Sequence, residues 1–164
     1  MISTLGSAAR PSTEKSLAAV CRVAGVPNQW IRPWFTRPAR PRLIERKVPT
    51  WVEIIYAHAG MARTLIDCAT AAGAEGLVIA GVGSGNFHAD ARTAAAEAAA
   101  RGIAIVRASR TGGGIVERSV EVDDERFGFI AAGDLNPQKA RVLLKLALTR
   151  SRSPAAIQEM FDQY

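Results

Sequence analysis

The stretch Gly-Leu-Val-Ile-Ala-Gly-Val-Gly-Ser-Gly-Asn, residues 76–86, constrains the fold of this chain more than any other. Its first six residues include no polar side chain. Such a run suits a strand covered on both faces, the situation of a parallel sheet between helices. Its second half places glycines at 81, 83 and 85 and ends on an amide side chain, Asn86. A buried strand feeding a glycine-spaced loop is a unit of parallel α/β architecture, in which ligands collect beyond the carboxyl ends of the strands.

The segments around it alternate accordingly. Residues 52–57 read as a strand, and 61–72 as a helix with Leu65, Ile66 and Cys68 available for burial. After the strand at 76–81 come an alanine-rich helix over 88–101, a third strand over 103–106 and a fourth over 127–132. Asn136-Pro137 opens a helix to about residue 150, with proline at an early position where its missing donor does no harm. Pro154 starts a last helix that ends at Tyr164. The order predicts an α/β fold, a small parallel sheet of about four strands flanked by helices, with functional loops at 57–60, 82–87 and 108–121.

Composition sets the boundary of that domain. The 164 residues hold enough hydrophobic content, 48%, for one packed core. Residues 1–51 carry 9 Lys and Arg against 2 Asp and Glu, whereas residues 52–164 carry 12 against 13. The basicity therefore belongs to an irregular N-terminal arm, and the predicted division is 1–47 and 48–164. Within the arm, residues 12–25 can form a short helix. From Trp30 the prolines at 33, 38, 41 and 49 exclude regular structure, so that an extended or disordered linker is expected. Arginine and tryptophan alternate there, which could serve nucleic acid, but an arginine-rich tail without a partner has the same composition and is the preferred reading.

Cys21 and Cys68 have no metal-type spacing, and Cys68 is expected to be a reduced core thiol. No apolar run approaches the length of a membrane span, and residues 1–20 lack the charged and continuous apolar regions of a signal peptide. A soluble, cytoplasmic chain is the expectation.

Each candidate site has a plain reading beside its chemical one. Gly81-Val-Gly-Ser-Gly85 departs by one position from the dinucleotide fingerprint and lacks its acidic partner, so a tight turn needing positive φ is preferred. Asn86 is either a polar loop residue or an amide that holds an amino-acid substrate. The acidic cluster Glu121, Asp123, Asp124, Glu125 is either a solvated turn or a source of one carboxylate for an α-ammonium. Thr111-Gly-Gly-Gly114 mimics a nucleophile motif, but no activating base can be placed against it, and with Ser109 it reads as a flexible loop following Arg107-Ala-Ser-Arg110. His58 and His88, as two isolated histidines, do not make a structural zinc site. No cofactor and no metal are predicted.

From about Pro49 to Tyr164 the ordered motifs VEIIYAHAG, GLVIAGVGSGN, VRASR, EVDDERFGFIAAGDLNPQKARVLLKLALT and IQEMFDQY resemble the C-terminal domain of the bacterial L-asparaginase (asparaginase/glutaminase) family. The resemblance implies a Rossmann-like domain that completes a pocket from a neighbouring subunit. It also implies that asparagine is hydrolysed to aspartate and ammonia by a threonine nucleophile in a separate, larger domain. It assigns Asn86 and Glu121 as substrate-binding residues, Glu121 meeting the substrate ammonium across a dimer interface, and assigns no catalytic residue to this chain. Ser84 departs from the asparagine or threonine often found in that loop. Residues 1–47 resemble nothing in the family, and the Thr-Gly-Gly-Thr and second threonine motifs are absent. The chain is therefore expected to be a truncated amidohydrolase, inactive alone, that keeps a substrate-positioning and self-associating domain. The alternative is a non-catalytic module that binds amino acids or a partner.

Overall fold

The parallel run of four strands predicted from sequence is present in the computed structural model, which describes residues 50–164. The strands β1 (Val52–Tyr56), β2 (Gly76–Gly81), β3 (Ala104–Ser109) and β4 (Phe129–Ala131) lie side by side in chain order, every neighbouring pair parallel. Between and after them come α1 (Thr64–Ala71), α2 (Ala89–Ala100), the one-turn α3 (Asp124–Phe127), α4 (Pro137–Leu148) and α5 (Pro154–Gln163). The basic arm, the short helix and linker expected within it, Cys21 and the expected boundary near residue 47 lie outside the described residues. Among the described residues no helix is long and apolar enough to cross a membrane.

Alternation along the strands divides the core into two layers. Val52, Val78, Val106 and Ile130 meet Leu143, Leu144, Ala147, Ile157 and Phe161 of α4 and α5. Ile55, Leu77, Ile79, Ile105 and Phe129 meet α1 and α2 on the opposite side. All six residues of β2 are buried, as its sequence demands of a central strand. Helix α2 turns a strip of Ala91, Ala94, Ala95 and Ala98 to the sheet, each without exposed surface. These short side chains let the helix lie close, and alanine's high helix propensity compensates for the little apolar area each buries.

Three expectations are corrected. Cys68 is exposed and free, not a core thiol, and Leu65 is exposed as well. At about 100° per residue, Leu65 and Cys68 share one face of the helix, turned away from the line through Ile66 that reaches the sheet. Strand β3 extends to Ser109, so Arg107-Ala-Ser109 is strand and not loop, held by its register against Ile79, Ala80 and Gly81. The segment before β4 contains the turn of helix α3, which Asp123 caps by accepting from the Arg126 N–H at 3.0 Å.

Side chains close both outer edges of the sheet in part. Gln158 of α5 is buried and pairs with Ala131 as a neighbouring strand would, its Oε1 accepting from the Ala131 N–H at 2.8 Å and its Nε2 donating to the carbonyl at 3.2 Å. On β1, Arg141 Nε donates to the Val52 carbonyl at 2.7 Å and Glu53 Oε1 accepts from the Ile54 N–H at 3.2 Å. The Trp51 indole donates to Glu53 Oε2, and with the Ile54 N–H it holds the Glu53 carboxyl below its ordinary value. A carboxylate with a depressed folded-state value stabilises above its ordinary value, and that contribution is lost as pH falls through the depressed one. The thermal midpoint of wild type should therefore exceed that of Glu53→Gln at neutral pH. Melting curves across an acid series should show the gap closing below the ordinary carboxylate range.

Candidate functional site

The carboxyl ends of β1, β2 and β3 carry the three loops expected to hold function. The loop after β2 closes on itself. Val82 and Asn86 exchange two backbone hydrogen bonds, both 2.8 Å, forming an isolated antiparallel bridge. Gly83 (φ 52°) and Gly85 (φ 78°) supply the left-handed conformations that so short a return requires. Gly81 answers a different need. A Cβ there would stand 2.4 Å from the Gly85 carbonyl carbon and 2.5 Å from the Asn86 oxygen, so only hydrogen fits beneath the returning chain. This closed ring, and the two residues between it and α2, Phe87 and His88, separate the site from a dinucleotide loop that opens directly into a helix.

Asn86 emerges from the ring half-buried, and among the described residues no hydrogen bond engages its side-chain amide. Its neighbour Phe87 is buried and packs near Phe129, with ring centroids 6.4 Å apart. The amide is thus carried on a turn closed by two backbone hydrogen bonds, with its donors and acceptor unspent among the described residues.

Beneath the ring lies Arg107, completely buried near the end of β3. Its Nε and one terminal nitrogen donate to the two oxygens of Asp124, both at 2.6 Å, and Asp124 is buried as well. The other terminal nitrogen donates to the Ser84 carbonyl at 2.8 Å, and a further N–H reaches the Glu117 carbonyl at 3.1 Å. Asp124 also accepts from the Ser119 N–H at 2.9 Å, and Ser119 holds a positive φ of 53°. Glu121 follows two residues later. It is exposed and lies between this pinned backbone and the buried Val122. The two predicted substrate residues therefore sit on loops fastened to one buried ion pair, while no hydrogen bond joins their side chains.

The other polar candidates have local employment. Ser109 Oγ and Thr111 Oγ1 are 2.7 Å apart, and Thr111 Oγ1 donates to the Gly113 carbonyl at 3.1 Å, so these hydroxyls shape the glycine loop. Arg110 binds the loop after β1 through the Ala57 carbonyl at 2.7 Å. His88 caps α2, its Nδ1 accepting from the Asp90 N–H at 3.4 Å, and His58 Nδ1 lies 3.0 Å from the Ala59 carbonyl.

Sequence reading gave Arg107 and Asp124 no role as a pair; Arg107 fell in an assumed loop, and Asp124 in an acidic cluster read as a solvated turn or as the source of one carboxylate for an α-ammonium. The available signal was an arginine within Ile105-Val-Arg-Ala108, since a charge inside a buried strand requires a partner.

The fold and its loops define an α/β domain that presents an unspent amide and a carboxylate at the carboxyl edge of a parallel sheet. Residues 51–161 match the Glutaminase/Asparaginase C-terminal domain, and the chain belongs to that family. L-asparaginase 2 of Escherichia coli is 47% identical over 117 residues, 69% of this chain and 32% of that protein. L-asparaginase 2 of Bacillus subtilis is 41% identical over 113 residues, covering 69% and 30%. Glutaminase-asparaginase of Pseudomonas fluorescens biotype A is 33% identical over 140 residues, covering 80% and 38%. The chain spans about a third of the length of these relatives.

Two outcomes follow from the packing. Gly81→Ala forces a methyl group against backbone and should cost about 1–3 kcal/mol in urea denaturation. Asp124→Ala strands a buried guanidinium and should cost about 3–5 kcal/mol, whereas replacing both partners, Arg107→Met with Asp124→Leu, should cost far less.

Proposed function

We propose that this domain positions the amino-acid end of an asparagine-type substrate and completes an amidohydrolase site whose nucleophile is supplied by another domain. The observation that carries this reading is the half-buried Asn86 amide, unengaged among the described residues and held on a closed turn at the carboxyl end of β2. A primary amide both donates and accepts, so it can hold a substrate carboxylate or orient a neighbouring hydroxyl. Glu121, an exposed carboxylate on the adjoining loop, suits the α-ammonium of the same ligand. The names of the relatives, asparaginase and glutaminase-asparaginase, supply the reaction class: hydrolysis of a side-chain amide to a carboxylate and ammonia.

The 164 residues contain no Thr-Gly-Gly-Thr sequence. Their Thr111-Gly-Gly-Gly114 has its hydroxyl committed to the loop's own backbone. Without an activated nucleophile the covalent step is missing, and binding is what remains. The exposed apolar side chains Val82, Ile115 and Val120 lie on the same loops and give that edge a surface suited to a second domain or a second copy. A non-catalytic amino-acid-binding module is the second reading, favoured by the same two side chains.

Calorimetry of the purified 164-residue chain with L-aspartate should register binding, and an ammonia assay with L-asparagine should register no turnover. Glu121→Gln removes a hydrogen bond to charge worth about 1.5–3 kcal/mol and should weaken binding roughly 10- to 100-fold. Asn86→Ala should weaken it about fivefold. Ammonia release by the lone chain in proportion to its concentration would overturn the proposed division of labour. Activity restored by adding a threonine-nucleophile domain supports the amidohydrolase reading. Retained aspartate binding without restored activity selects the non-catalytic module.

A further inference from the structure

We propose that the buried Arg107–Asp124 pair is the positioning element that sets the Asn86 loop and the Glu121 loop in one fixed relation, so that ligand recognition by both depends on it. The inference rests on the reading of Asn86 and Glu121 as substrate-positioning residues. Its own foundation is the distribution of four of the five guanidinium N–H donors. Two are spent on Asp124, one on the Ser84 carbonyl inside the Asn86 ring, and one on the Glu117 carbonyl in the segment leading to Glu121. Asp124 returns the connection by accepting from Ser119.

Asp124 occupies only two of the donors, and those that remain are spent on carbonyls of two separate loops. Burial makes each such contact obligatory, because neither charge can exchange a lost partner for water. The loops also touch the arginine through packing: a Cβ at Gly85 would lie 3.1 Å from Val116 Cγ1 and 3.3 Å from Arg107 Cβ. Val116, in turn, is tied to the chain beyond β4 through its N–H to the Gly133 carbonyl at 2.9 Å. Lysine cannot substitute. Its single ammonium has no planar fork with which to serve a carboxylate and two carbonyls lying in different directions.

Native-state amide hydrogen exchange on the unaltered chain is the first arm of the test. The protected amides of Val82, Asn86, Val116 and Ser119 should open with one common protection factor and respond together to low denaturant. The second arm compares Arg107→Met/Asp124→Leu, which keeps an apolar filling, with Arg107→Lys. Both should give a single cooperative thermal transition, exchange at least tenfold faster at those amides, and bind L-aspartate at least tenfold more weakly. The proposal is overturned if the amides of the two loops open independently in the unaltered chain. It is equally overturned if a folded variant keeps wild-type exchange in either loop, or loosens both loops with unchanged aspartate affinity. Should the unaltered chain bind no aspartate, the reading of Asn86 and Glu121 fails separately, and the exchange results alone decide whether the pair couples the loops.

Discussion

A guanidinium sealed inside a sheet layer is tolerable only if its donors are satisfied, and that demand organises the carboxyl edge of this domain. Arg107 enters the interior because β3 must continue alongside β2 as far as Ser109. Once there, it draws Asp124 inward, and with it the turn of helix α3 and the chain from 117 to 119. The same side chain fixes the ring that carries Asn86. The loops are therefore shaped from below, by a charge the core cannot leave unpaired, with Asn86 half-buried and Glu121 exposed upon them.

The glycines make the complementary contribution. A ring that returns to its own starting strand within five residues needs two left-handed positions and one site without a side chain, which Gly83, Gly85 and Gly81 provide. Sequence reasoning reached this turn because glycine spacing is a local signal. It reached the four strands and the two layers for a similar reason, since β2 is apolar throughout and the helices α2 and α4 announce themselves by composition and by the Asn136-Pro137 cap.

The signals that failed were those depending on distant partners. Whether Arg107 is strand or loop is decided by Asp124, Ser84 and Glu117, none of them near it in the chain. Whether Cys68 is buried is decided by where α1 touches the sheet, and its periodicity admits more than one line of contact. Asn86 and Glu121 are assigned by resemblance alone, and the structure adds that the loops carrying them are both bonded to Arg107.

The edges of the sheet bear on how such a domain can meet another. Gln158 occupies the outward-facing N–H and C=O of Ala131 on β4, and on β1 Arg141 and Glu53 take the Val52 carbonyl and the Ile54 N–H. An edge whose hydrogen-bonding groups are already engaged is a poor template for strand addition. The exposed apolar side chains Val82, Ile115 and Val120 sit instead on the loops that Arg107 and Asp124 hold in shape. Asn86 and Glu121, whose side chains make no hydrogen bond among the described residues, lie at the same end of the sheet. Under the proposed function, association there and ligand recognition draw on the same buried ion pair.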